Sequence, residues 1–183
     1  MRTDSALLII DVQTGLVAGT QPVYRLDELL ENISTLITQA RTTGKPIIYI
    51  QDNDVDEIGS PGWQIHPAIA PQEADVVLRK PETDAFYGTT LQQEMEERGI
   101  SHLIVVGCKS EVCVDATCRR ATNLGYNVTL VSDAHSTTDN VVLTAQQTIA
   151  YHNHILQMVW SDEHGEVVEV MVKPTSETIM TMF

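Results

Sequence analysis

Basic side chains are scarce in this chain: 11 Lys+Arg stand against 25 Asp+Glu, for a formal charge of −14. A surface of that sign repels nucleic acid phosphates and anionic membranes, which argues against both as partners and favours a neutral or cationic small molecule. Long apolar runs are missing too. In MRTDSALLIIDVQ only Ala6 to Ile10 runs unbroken before Asp11 interrupts, too short for a signal core or a membrane span, so a cytoplasmic protein is expected. Cysteine is limited to Cys108, Cys113 and Cys118. Three cannot all pair, and thiols are the default state inside a cell. Their C-x4-C-x4-C spacing matches neither paired zinc ligands nor a C-x-x-C redox motif. Neither G-x-G-x-x-G nor G-x-x-x-x-G-K-[ST] occurs, so no nucleotide cofactor is implied. There is no G-x-S-x-G serine elbow. His152 and His154, two apart, do not share a helix face.

What is present is an alternation of short apolar runs with segments of helical period, punctuated by Gly, Pro, Asn and Asp. Strands are predicted at 6–12, 47–51, 75–79, 102–107, 127–133 and 154–160. Helices are predicted from Leu26 to a stop at Gly44 and over 89–99, 111–125 and 139–152, with a further strand in VVEVMV near the end. The stretch 52–74 has no clear period, carries Gly59, Pro61, Gly62, Pro67 and Pro71, and reads as a long functional or cover loop. Strands apolar on both faces and separated by helices predict a mostly parallel sheet covered on both sides, a three-layer α/β/α domain. At 183 residues and 43% hydrophobic content, one domain over 1–183 is the expected count.

Ligands of such sheets sit outside the carboxyl ends of the strands. The residues there are Asp11, the Gln51–Asp52 pair, Arg79–Lys80, the segment from Cys108 to Cys113, and Asp133–His135. A carboxylate after LLII needs a cation or a proton donor if it is buried, or it serves as a turn or helix cap. Lys80 precedes Pro81 and is held extended, as a site residue or an ordinary surface lysine. Cys108 at a strand end and Cys118 in mid-helix read as packing residues. Cys113, if Ser110 caps the helix, falls in its first turn, where the dipole and free N–H groups favour a thiolate. An acid, a lysine and a cysteine on three strand ends form a catalytic constellation.

LLIIDVQ, VVLRKPETDAFYGT, VVGCKSEVCVDAT and VSDAHST together resemble, in family order, the signatures of the isochorismatase-like cysteine hydrolase superfamily. The resemblance implies a Rossmann-like six-stranded sheet of order 3-2-1-4-5-6 with strands one and four adjacent. It also implies a catalytic set of Asp11 as proton acceptor, Lys80 as the stabilising cation and Cys113 as nucleophile. The backbone N–H groups of Lys109 and Cys113 would form an oxyanion hole, with a cis peptide at Cys108–Lys109. A thiol of ordinary pKa ~8.5 is mostly protonated at neutral pH, and a cation with a helix N-terminus is expected to lower it. The implied reaction is hydrolysis of a C–N bond, amide or lactam, in a small molecule through a thioester.

TDAFYGT at 83–89 is close to streptothricin hydrolase-like and uncharacterised members of the superfamily. Isochorismatases proper lack the nucleophilic cysteine, so Cys113 argues against vinyl ether chemistry. Metal-dependent nicotinamidases carry an Asp-x-His pair and a WPPHC-like segment, whereas this chain has Gln51-Asp52-Asn53-Asp54 and no such segment. Asp52, Asp54 and His66 are read as a solvated acidic loop and a packing residue, so no metal is expected. Gln51, Trp63, Phe86 and Tyr87 are candidate pocket residues, with a core role open for the aromatics. Relatives are commonly oligomers, and IMTMF at 179–183 can serve an interface or fold back on its own domain. His135 is expected to make structural hydrogen bonds. Two alternatives remain: a non-catalytic, redox-responsive domain that oxidises Cys113, and a metal-dependent nicotinamidase.

Overall fold

The computed structural model describes residues 5–163 and 166–182. In chain order the elements are β1 (Ser5–Ile10), α1 (Thr14–Val17), α2 (Leu26–Thr43), β2 (Ile47–Asp52), β3 (Val76–Lys80), α3 (Leu91–Arg98) and β4 (His102–Cys108). They continue with a π-helical turn (Ser110–Val114), α4 (Asp115–Asn123), β5 (Asn127–Ser136), α5 (Ala145–Ile155), β6 (Trp160–Glu163), β7 (Glu166–Lys173) and α6 (Thr175–Met182). The seven strands form one sheet of order β3-β2-β1-β4-β5-β7-β6. Its first six are parallel, and β6 runs antiparallel along one edge.

Alternation along the strands builds the two cores. In β1, Ala6, Leu8 and Ile10 face Leu91 and Met95 of α3, Val114 of the π-helical turn, and Cys118 and Ala121 of α4. Leu7 and Ile9 face Leu29, Ile33, Leu36 and Ala40 of α2. The α2 stripe recurs every three or four residues, as a helix packed along one side requires. Gly44 ends it in the left-handed region, its N–H capping the Ala40 and Arg41 carbonyls.

One expected element changes identity. The run HILQMVW, predicted as the sixth strand, instead ends α5 and turns through Leu156–Met158. A short apolar run fits either period, and here the capping box of Thr144 and Gln147 starts a helix that carries Leu156 into the core. The outer parallel place is taken by β7, which contains the VVEVMV segment. The tail continues as α6, with Ile179 packed against the α2-side core and Met180 exposed. Phe183 lies outside the described residues.

Gly107 shows how closely β4 approaches β1. Its φ is +120°, and a Cβ there would stand 2.0 Å from the Ile10 carbonyl oxygen. Gly107→Ala is therefore expected to destabilise by roughly 2–4 kcal/mol, from overpacking and a disfavoured backbone. For a chain of this size that corresponds to a melting point about 5–15 °C lower; an unchanged melting curve would show that the strands relax freely.

Candidate active site

The sheet order places β1 between β2 and β4, so the carboxyl ends of β3, β2, β1 and β4 lie in one row. The register is close: Ile10 is opposite Gly107 and Asp52 is opposite Lys80. Asp11 follows β1 with φ +51°, a left-handed turn that Asp tolerates better than most residues, and its N–H still donates to Ile50 O. After β4 the Cys108–Lys109 peptide is cis. The π-helical turn follows, with Lys109 O accepting from both Val112 N–H and Val114 N–H.

These elements bring Asp11, Lys80 and Cys113 together. Lys80 Nζ is 3.0 Å from Asp11 Oδ2 and donates to Cys113 Sγ at 3.4 Å. It also makes a close ion pair with Asp52. Asp11 and Lys80 are fully buried and Cys113 is 7% exposed. An isolated charge at such depth is costly, so the ammonium and the carboxylates hold each other in place.

Burial dominates the protonation states. It pushes Asp11 up to about 6, against the opposing pull of Lys80 and the Cys113 hydrogen bond. Burial, then the charge of Asp11, pushes the Cys113 thiol up to about 12, with Lys80 opposing. For Lys80 burial favours the neutral amine, but Asp11 and the Asp52 hydrogen bond outweigh it and hold the group above the ordinary ammonium range. At neutral pH the set is a carboxylate, an ammonium and a thiol. This corrects the expectation of a lowered Cys113: α4 begins only at Asp115, after the π turn, and desolvation exceeds the help of the cation. Cys108 and Cys118 are fully buried, and burial raises both.

A cavity of about 260 Å³ opens beside this cluster. It is bounded by Asp11, Asp52 and Cys113, by apolar Leu16, Val55 and Val112, and by Asp54 and Lys109. A larger groove of about 660 Å³, which includes Lys45, Ile47, Asp75 and Val76, lies at the opposite, amino ends of β2 and β3. It is remote from the cluster.

The four expected pocket residues are not among those bounding the cavity. Gln51 and Trp63 are buried, and the Gln51 amide donates to Trp63 O. The Trp63 indole donates to Asp52 O, and its face carries the Arg79 guanidinium 4.9 Å from the ring centre. Phe86 is in the core, stacked on Tyr126 at 6.0 Å. Tyr87 is 62% exposed on the surface. The loop after β2 does reach the site, through Asp54 and Val55. His66 caps the short turn at Pro67–Ile69 by accepting from Ala68 N–H.

Three supports escaped sequence reasoning. Asp52, read as part of a solvated loop, is bound to Lys80; its place at a strand end was a usable signal, masked by the acidic residues that follow it. Gln13 is fully buried, donates to Asp52 O and Trp63 O, and accepts from Asp52 N–H, tying the turn after β1 to the end of β2. Ser110 is buried and hydrogen-bonded to His135 Nδ1 at 2.8 Å, and His135 Nε2 to Asn153 Oδ1 at 2.9 Å. Asn153 Nδ2 donates to Ser132 O, which leaves its oxygen as acceptor. His135 therefore carries its proton on Nε2 and accepts the Ser110 hydroxyl at Nδ1. Burial lowers His135 to about 4 and keeps it neutral. This chain anchors the turn that carries Cys113 and has the structural role expected of His135.

Among the described residues, the donor atoms of Asp11, Asp52 and Cys113 lie within 4.8 Å of one another, a grouping compatible with a metal ion. The Lys80 ammonium contacts all three, so the position a cation would take is filled by a side chain, and the set does not suit a metal. No described helix is long and apolar enough to cross a membrane.

A family model described as "Isochorismatase domain" matches residues 5–158. A streptothricin hydrolase of Streptomyces noursei is 38% identical over 138 residues, 73% of this chain and 50% of that protein. The ureidoacrylate amidohydrolase RutB of Klebsiella pneumoniae is 28% identical over 176 residues, 71% of this chain and 72% of that protein. An isochorismatase structure from Pseudomonas putida KT2440 superposes with a TM-score of 0.84 at 30% identity, covering 96% of this chain and 90% of the other. The chain thus spans about half the length of the streptothricin hydrolases it matches.

Proposed function

This chain belongs to the isochorismatase family, and from that premise we propose that it hydrolyses a C–N bond, amide or lactam, of a small molecule through a thioester on Cys113. The observation that carries the reading is the contact of one buried ammonium, Lys80, with both a carboxylate and a thiol beside a cavity. Two relatives are named for hydrolysis of streptothricin and for amidohydrolysis of ureidoacrylate, which supports the same bond class. A small-molecule substrate and an assembly of identical subunits belong to the same proposal.

In this reaction Asp11 takes the thiol proton as the sulfur attacks the carbonyl carbon, so the thiolate is made at the moment of use. The ammonium of Lys80, already in contact with both groups, stabilises the charge wherever it rests. The backbone N–H groups of Lys109 and Cys113 receive the oxyanion. Asp11 returns the proton to the departing nitrogen, a C–N bond breaks, and the acyl group remains on sulfur. Water, losing its proton to Asp11, then attacks the thioester, releasing the acid and restoring the thiol.

The test is ammonia or amine release from a panel of amides, lactams and ureido compounds, with and without prior chelation. One substrate turned over, insensitive to the chelator, is expected; loss of activity on chelation would favour the nicotinamidase alternative. Because Asp11 must begin as a carboxylate, kcat/KM is expected to be on its plateau above pH 6. It should fall about tenfold per pH unit as pH drops below about 6, where Asp11 is protonated. A rate flat to pH 4.5 would remove Asp11 from the role of base.

A further inference from the structure

The proposed chemistry uses Asp11, Lys80 and Cys113 and leaves Asp52 without a part, although it is the carboxylate bound most closely to the lysine. Asp52 is held on every side. One side-chain oxygen pairs with Lys80 and the other accepts Asp54 N–H at 2.8 Å. Its backbone N–H and C=O are both bonded to the Gln13 amide, and the C=O also accepts the Trp63 indole. A carboxylate needed only to solvate a loop has no reason to have both its oxygens bonded within the protein, on a residue whose backbone is fixed by three further bonds. Its side chain is 18% exposed while the lysine it binds is fully buried, so it reaches from the cavity edge toward the buried charge.

We propose that Asp52 is a positioning residue: by sharing the Lys80 ammonium it prevents that cation from locking Asp11 into a tight ion pair, and so leaves Asp11 able to accept the Cys113 proton. The inference rests on the reading of Asp11, Lys80 and Cys113 as the reacting set. The physical ground is Coulombic. A lone ammonium 3.0 Å from a carboxylate in a buried site favours the ionised acid strongly and makes it a poor base, whereas a second carboxylate on the same ammonium offsets that field. The groups facing Asp11 are Lys80 at the end of β3, Asp52 at the end of β2, Cys108 at the end of β4 and Cys113 on the π turn. Asp54 and Lys109 border the same cavity. The charges touching Lys80 sum to two negative against its one positive, and Asp52 supplies the second negative.

Asp52→Asn removes that charge with little change of shape, and Asp52→Glu keeps it. The first readout is the rate of Cys113 alkylation by iodoacetamide at pH 8, followed by peptide mass, which needs no substrate. With one negative charge gone, the Cys113 thiolate is stabilised, and alkylation in Asp52→Asn is expected to rise roughly three- to tenfold, an acidified thiolate being somewhat less nucleophilic. The second readout is hydrolysis: turnover at neutral pH is expected to fall tenfold or more while the acid limb moves below about pH 6. Asp52→Glu should restore both in part. A residue that merely holds the loop would slow turnover without accelerating alkylation, and unchanged or slower alkylation in a folded Asp52→Asn overturns the proposal. If alkylation accelerates and no amide is ever turned over, the charge sharing stands and it is the hydrolase reading that fails.

Discussion

Cys113→Ala is expected to lower hydrolysis of whichever substrate proves active by at least about 10⁴-fold, because removing a covalent nucleophile leaves only binding and oxyanion stabilisation. That loss corresponds to a barrier higher by about 5 kcal/mol. The change in stability should be small. The side chain is small and 7% exposed, and its loss removes one sulfur from the core edge. Cys118→Ala is the internal control. Cys118 is fully buried among the residues of the α4-side core, so truncation there should cost stability on the order of 1–2 kcal/mol and leave the rate near normal. Ammonia release and thermal melting on the two variants separate the roles. Activity in Cys113→Ala above one part in a hundred would mean that the sulfur is not the nucleophile.

Lys80→Met carries the second large effect, and it is a stability effect as well as a catalytic one. Methionine fills much of the lysine stem's volume but leaves Asp11 fully buried, and Asp52 mostly so, with no cation. Breaking a buried ion pair on one side costs about 3–5 kcal/mol, or a melting point about 6–20 °C lower for a chain of this length. The pH dependence identifies the cause. Asp11 already binds its proton more tightly folded than unfolded, at about 6 against an ordinary 3.8, and without Lys80 that difference widens. A raised carboxyl contributes stability that is fully present below its unfolded pKa and is lost as pH rises through the folded value. The deficit of Lys80→Met relative to the native chain should therefore be largest near pH 8 and shrink toward pH 4. A deficit equal at all pH values would mark lost packing rather than an uncompensated carboxylate. Hydrolysis in this variant is expected to fall by 10³-fold or more, measured at a temperature where it is folded.

The legible part of the site is the part that lies on the chain as strand endings. Asp11 follows an apolar run, Lys80 closes one and Cys113 lies in the turn after a third, so position makes them candidates and the ordered motifs around them select them. Asp52 has the same position but sits in QDNDVDE, where neighbouring acids make it look solvated; its ion pair depends on the pairing of β2 with β3, which puts it opposite Lys80. The pocket candidates show the converse. Phe86 and Trp63 fall on loops, and loops suggest a rim, but one turns into the core and the other folds under Arg79.

Period and punctuation were therefore enough to determine a parallel α/β/α architecture, because each element is encoded within a few residues, while the strand order from β3 through β5 and the selection of Asp11, Lys80 and Cys113 among the candidates came from the resemblance of the ordered motifs to the family. The tertiary structure alone decided which strand completes the sheet, which residues border the cavity, and the charge states of the cluster. Those quantities depend on desolvation and on neighbours far apart in sequence: Lys80 meets Asp11 across 69 positions and Cys113 across 33, and burial of that cluster, absent from any local pattern, pushes the Cys113 thiol up where the sequence led one to expect it lowered.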